Sequence, residues 1–263
     1  LSFGYIGGTE TVDIGNILEA QFREDEDWTV LIFFQVHNTA GDDRSLIAKF
    51  GAGSTQRPFL LRCDKQAAPS NLEVYSANTA VAINGGNVIE LHTWYLAAVT
   101  NKASGTNLTL YTLNMGGNFV DDTLTGTSNS EPDYGEPIEI GSRAGGTNDP
   151  YIGWIQYTCY IKQTLTKAKV LEYLTDPIGV AWSFGWDCVF ILDFGHGDTP
   201  TIKDLGPRRI QNVITMVGSP LRVAPNPPSL IEDDFMFTKA AAAAAVGPVL
   251  RNPFDLYKSA LTR

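Results

Sequence analysis

The run Trp28-Thr29-Val30-Leu31-Ile32-Phe33-Phe34-Gln35-Val36 constrains the fold of this chain more than any other segment. Its residues favour extended structure, and the apolar ones fall on both faces rather than on alternate positions. Such a strand needs cover in front and behind, so it is read as a central strand packed on both sides. Composition points the same way. Hydrophobic residues make up 43% of the 263 and charged residues only 18%. That is enough to bury a substantial core, whereas a long helical protein would carry more Glu and Lys. The length fits one large all-β domain with an appendage, or two small domains.

Further strands are read around the central one. Thr11-Val12-Asp13-Ile14-Gly15 alternates polar and apolar, as on a half-buried strand. Residues 45–50, 59–63, 72–76 and 80–83 are strand candidates separated by Pro, Asn or Gly. Residues 94–100 and 107–113 form a strand pair, with Leu108 and Leu110 facing away from Thr109 and Tyr111. Residues 115–118 read as a turn and 124–135 as a polar loop. Residues 138–141 form a short strand and 153–161 a long one. In the long strand Trp154, Gln156, Thr158 and Tyr160 are expected opposite Ile155, Tyr157, Cys159 and Ile161. One helix stands out at 167–174, capped by Thr166 and stopped by Asp176-Pro177, with Val170, Leu171 and Leu174 as its apolar face. Residues 188–194 and 210–217 return to strand.

Composition shifts near Pro220. Pro225, Pro227 and Pro228 mark a stiff linker, followed by an acidic-aromatic patch with Phe235 and Phe237. A run of alanines between Lys239 and Val246 favours helix but offers only methyl groups for packing. The division is therefore a body, residues 1–220, and a Pro/Ala-rich C-terminal arm, residues 221–263. The arm either straps back onto the body or reaches a neighbouring subunit.

The central strand and its neighbours resemble the laminin G-like members of the concanavalin A-like lectin/glucanase superfamily. The likeness is carried in order by Thr11–Gly15, Trp28–Val36, Arg44-Ser45-Leu46-Ile47-Ala48-Lys49, the hairpin of 94–100 with 108–111, then 138–142, 153–161 and 165–177. It covers roughly residues 1–177. It departs from the family pattern at Asn114-Met115-Gly116, and at Lys167 and Lys169, where acidic residues are usual. Residues 189–220 look like the segment that ordinarily precedes the first strand, so closing strands are expected from after the helix, as in a permuted sandwich. The resemblance implies an antiparallel β-sandwich of jelly-roll type with one short helix. The ending Asn252-Pro253-Phe254-Asp255-Leu256-Tyr257 is similar to the endings of laminin G-like proteins of tailed bacteriophages.

Chemistry is sparse. The formal charge of −10 suits nucleic-acid phosphates poorly, and the densest basic spot, Arg208-Arg209, reads as a solvated loop pair. Cys63, Cys159 and Cys188 are too far apart for a metal motif and read as buried free thiols. The start, Leu1-Ser2-Phe3-Gly4-Tyr5, is short and broken by glycine and carries no signal-peptide pattern; no apolar run reaches membrane-spanning length. The glucanases of the superfamily need two carboxylates on one strand face. Glu24 and Glu26 have the spacing but lie in an acidic loop. His37, His92 and His196 are scattered and read as hydrogen-bonded or exposed side chains rather than a metal set. Asp42, Asp43, Asn148 and Asp149 could hold Ca²⁺ only if their loops converge, and ordinary turn chemistry is the simpler reading. Sugar binding needs an exposed aromatic beside polar donors, for which Tyr134 and Tyr151 are the loop candidates.

The expectation is a non-enzymatic structural virion protein of a tailed phage, assembled in the host cytoplasm, with no cofactor and no catalytic or metal residues. Capsid decoration is preferred, with docking to the major capsid protein or neighbouring tail proteins through Phe235, Phe237, Pro253, Phe254, Leu256 and Tyr257 of the arm. The alternative is a tail-fibre or receptor-binding module for a host-surface glycan. Homo-oligomers are usual for such appendages. Nucleic acid and membrane are not expected partners.

Overall fold

The computed structural model describes residues 4–7, 11–38, 43–51, 58–64, 70–76, 81–103, 107–115, 120–127, 135–143, 148–194, 202–208, 215–217 and 222–223. Twelve strands come first: β1 (Gly4–Gly7), β2 (Thr11–Asp13), β3 (Trp28–Val36), β4 (Arg44–Lys49), β5 (Phe59–Cys63), β6 (Ser70–Ser76), β7 (Val81–Ile89), β8 (Trp94–Lys102), β9 (Asn107–Asn114), β10 (Val120–Gly126), β11 (Ile138–Ile140) and β12 (Ile152–Ile161). Two short helices follow, α1 (Lys167–Thr175) and α2 (Pro177–Ser183), then a 3₁₀ turn at Gly185–Asp187. The chain closes with β13 (Cys188–Asp193), β14 (Lys203–Asp204), β15 (Thr215–Val217) and β16 (Arg222–Val223). The arm residues Phe235, Phe237, Pro253, Phe254, Leu256 and Tyr257 and the alanine run lie outside the described residues.

The strands form two antiparallel sheets stacked as a sandwich, as expected. The front sheet runs β10-β9-β8-β3-β12-β1-β16, with β13 and β14 continuing from the other half of β12. The back sheet runs β15-β2-β11-β4-β5-β6-β7. The closing strands do come from after the helices: β13 pairs with β12, β15 with β2 and β16 with β1.

β3 sits in the middle of the front sheet, between β8 and β12. Its inner residues Val30, Ile32, Phe34 and Val36 meet the back sheet in the main core, beside Phe59, Leu61, Val74 and Ile140. Its outer residue Leu31 belongs to a second apolar layer with Leu96, Ala98, Leu113, Cys159 and Ile161, and Phe33 packs against it. Helices α1 and α2 cover that layer through Val170, Tyr173, Val180 and Ala181. Each Val, Leu, Ile or Phe side chain so removed from water contributes roughly 1.5–3 kcal/mol. The main core is anchored by Phe22, which leaves its loop at φ 57° to stack on Phe59 at 4.3 Å and meet Trp28 edge-on at 5.2 Å.

Four expectations need correction. Residues 120–126, in part assigned to a polar loop, form strand β10 against β9; it is an edge strand on which Thr123 and Thr125 face water while Leu124 packs against the core. Asp176-Pro177 ends α1 but also starts a second helix. The Asp176 side chain accepts from the Gly179 amide at 2.8 Å, and proline at the first helical position lacks an amide the helix could not have used. The buried face of α1 is Val170 and Tyr173, with Leu171 and Leu174 only partly buried. Finally, β12 does not alternate strictly. Ile155 pairs with Phe34 but Thr158 pairs with Ile32, so three steps on β12 match two on β3. This bulge leaves Ile155 and Tyr160 in the main core while Tyr157, Cys159 and Ile161 join the outer layer.

No helix among the described residues is long and apolar enough to cross a membrane. Cys63, Cys159 and Cys188 are free and buried, as expected. Burial pushes the Cys63 thiol up to about 12. In native protein a thiol reagent such as Ellman's is therefore expected to release almost no chromophore, and all three thiols should react in denaturant. Rapid reaction of any of the three without denaturant would contradict this packing.

Candidate functional site

The α2–β13 corner carries the exposed aromatic surface that the sequence reading sought elsewhere. Val180 and Ala181 turn α2 down onto the outer layer, which leaves Trp182 on its open side, 49% exposed. Phe184 packs back against the layer. Gly185 then takes φ 54°, a left-handed conformation that costs a glycine little, and the chain reverses into the 3₁₀ turn. The reversal presents Trp186 outward, 74% exposed, before Cys188 enters β13.

Two other segments complete the surface. The stretch after β14 is tied to β13 by Leu205 N–H to Ile191 O at 2.8 Å, and by Asp204 Oδ1, which accepts from the Ile191 and Gly206 amides. That places the Leu205 carbonyl to accept from Trp182 Nε1 at 2.9 Å. It also places Arg208, whose Nε donates to the Trp186 carbonyl and whose guanidinium lies 6.0 Å from the centre of the Trp186 ring. Arg208 Nη1 is 3.5 Å from Glu19 Oε1, and the adjacent Leu18 is 71% exposed. Two exposed indoles thus stand beside a guanidinium, which lies over one face of Trp186, and a carboxylate. Such a surface can stack the C–H faces of a ring and hydrogen-bond the hydroxyls at its edge. Arg208, read from sequence as half of a solvated pair, is part of this surface; its neighbour Arg209 lies outside the described residues.

The sequence candidates fall elsewhere. Tyr151 is fully buried, and its hydroxyl donates to Gln35 O at 2.8 Å. It reaches that carbonyl because position 153 is glycine; a Cβ there would lie 2.0 Å from Gln35 O. Tyr151 therefore offers no ring to a sugar, and Tyr134 and His196 lie outside the described residues. Glu24 and Glu26 do not share a strand face. Their loop wraps Asn101, whose Nδ2 donates to the carbonyls of Arg23, Glu24 and Glu26. His37 and His92 are not scattered but adjacent, with ring centres 4.8 Å apart.

The acidic rim residues converge, though not on an empty cavity. Asp43 pairs with Arg62 Nη1, and Asp149 Oδ2 lies 3.7 Å from the same nitrogen while pairing with Arg143. Glu73 joins at 2.8 Å from Arg62 Nη2. Burial raises the Glu73 carboxyl above the usual range, with Arg62 opposing the shift. A guanidinium thus stands where the carboxylates would hold a cation. Asp42 lies outside the described residues, and no group of three or more metal-ligating side chains occurs among the described ones.

No protein-family model and no curated protein matches the chain. Solved structures do. A protein of Bacteroides ovatus ATCC 8483, to which carbohydrate binding is attributed, is 14% identical with a TM-score of 0.56, over 85% of this chain and 59% of its own. This likeness shows the fold, and the chain spans less than two thirds of that protein. The carbohydrate-binding module of a Ruminococcus gnavus sialidase in complex with sialyllactose is 15% identical, with a TM-score of 0.43 over 65% of this chain and 96% of its own. Tailspike protein 2 of bacteriophage CBA120 is 12% identical, with a TM-score of 0.45 over 60% of this chain and 25% of its own.

Two stability measurements separate surface from scaffold. Trp186→Ala is expected to change unfolding free energy by less than about 0.5 kcal/mol, whereas Trp28→Ala should cost about 3–5 kcal/mol. Arg62→Ala should cost about 3–5 kcal/mol by removing the guanidinium that Asp43 and Glu73 share, and added Ca²⁺ should not move the wild-type melting temperature. A Ca²⁺-dependent rise in melting temperature would contradict the role given to Arg62.

Proposed function

We propose that this chain is a non-enzymatic carbohydrate-recognition part of a tailed-phage virion, binding a host-surface glycan on the Trp182–Trp186 surface. The observation that carries the reading is the pair of exposed tryptophans beside Arg208 and Glu19. Pyranose rings present apolar C–H faces and polar rims, and this surface offers both complements. The attribution of carbohydrate binding to the Bacteroides ovatus protein accords with the reading, although a shared fold alone does not carry function. The virion setting rests on the likeness of Asn252–Tyr257 to phage laminin G-like endings, and it would make the arm beyond β16, residues 226–263, the attachment to neighbouring virion proteins. Laminin G-like membership belongs to the same proposal.

Capsid decoration without glycan binding is the second reading, favoured by that same ending and by the change in composition near Pro220. A glycan array probed with wild type and Trp186→Ala, with and without Ca²⁺, distinguishes the two. The proposal expects binding that is selective, independent of Ca²⁺ and reduced at least about tenfold in the variant, the loss of one stacking contact and its solvent exclusion. A flat array, or binding indifferent to Trp186, would contradict it. Deletion of residues 226–263, which leaves β16 paired with β1, should abolish incorporation into particles on either reading; undiminished occupancy would remove the arm's role.

A further inference from the structure

Arg208 is the cation beside Trp186, and two of its nitrogens are already engaged by the protein. Nε donates to the Trp186 carbonyl, in the same 3₁₀ turn that presents the indole. Nη1 lies 3.5 Å from Glu19 Oε1. The guanidinium also lies over the Trp186 ring, 6.0 Å from its centre. It is therefore held by a backbone carbonyl, a carboxylate and an aromatic face. Within the ion pair the Arg208 side chain is 21% exposed and that of Glu19 51%, so the carboxylate is the more open member.

This arrangement bears on what can bind. Recognition of a carboxylate or sulfate on a sugar uses a guanidinium whose donor fork is open to it. Here a ligand anion must compete with Glu19 for Arg208. It also approaches a second carboxylate, because Asp187 directly follows Trp186 and accepts from Gln163 Nε2. At longer range the formal charge of −10 repels a polyanion, over a screening length of about 8–10 Å in ordinary salt. The indoles ask for no charge on the ligand. Trp182 spends its N–H on the Leu205 carbonyl at 2.9 Å, so it presents ring rather than donor.

We propose that the glycan bound at this corner is neutral, and that Glu19 sets this specificity by occupying Arg208. The inference rests on the Trp182–Trp186 reading and adds the charge class of the ligand to it. The ligand contributes C–H contact with the indoles and hydroxyl groups at its rim, neither of which depends on ionic strength. Chains that carry sialic acid, uronic acid or sulfate are selected against, since their anion meets a cation already neutralised.

The test is an array of neutral oligosaccharides beside counterparts that differ only by a sialic acid, a uronic acid or a sulfate. It is probed with the full chain as wild type, Trp186→Ala and Glu19→Gln. The expected Trp186-dependent signals fall on neutral chains, and affinity for the best of them changes less than about twofold between low and high salt. Glu19→Gln alters a half-exposed side chain, and glutamine still accepts from hydroxyls. It should keep neutral binding within about twofold and raise binding of the acidic counterparts at least about threefold. A Trp186-dependent signal that requires the acidic group, or acidic binding unmoved by Glu19→Gln, would overturn the proposal while leaving the corner a glycan site. A flat array, or signals indifferent to Trp186, would overturn the corner itself and this inference with it.

Discussion

A strand that is apolar on both faces cannot lie on the surface of a sandwich unless something covers its outer side. β3 imposes this condition, and much of the molecule answers it. Val30, Ile32, Phe34 and Val36 are satisfied by the back sheet, while Leu31 and Phe33 would face water without α1 and α2. The bulge in β12 extends the same demand to the neighbouring strand. By absorbing one residue between Ile155 and Thr158, it lets the strand serve the main core and still place Tyr157, Cys159 and Ile161 under the helices.

The exposed corner follows from the cover. A helix returning from the outer layer to β13 must reverse direction, and Gly185 permits the reversal at low conformational cost. Trp182 and Trp186 flank that reversal and face outward, while Phe184 between them faces in. Their position on a corner braced by Leu205 and Arg208 is what the proposed recognition surface is built on. The Arg62 network shows the opposite case, in which charges gathered by the fold neutralise one another.

The fold was largely legible from sequence because its strongest signals are patterns of apolar burial. The two-faced run at Trp28–Val36 announced its central place, and Thr166 announced the start of α1 through its cap. β10 was missed because an edge strand needs only one apolar side, and Asp122, Thr123 and Thr125 look like loop residues. The second helix was missed because proline was read as a terminator, whereas Asp176 and Pro177 also form a start.

The candidate site was much less legible. Periodicity carries no information about a turn, and residues 184–187 are a turn. The available signal was two tryptophans four positions apart around a glycine, without the alternation that would bury them. Tyr151 erred in the other direction: loop placement does not imply exposure when a glycine at 153 opens a path to a buried carbonyl. The account as a whole depends on the helical cover being integral to the sandwich. Native-state hydrogen exchange of the backbone amides tests this most directly. If the cover is integral, amides of α1 and of β3 exchange through the same global opening, with the same free energy and denaturant dependence. If α1 and α2 open at far lower free energy while β3 stays protected, the outer face of β3 does not need them, and the account fails at its first step.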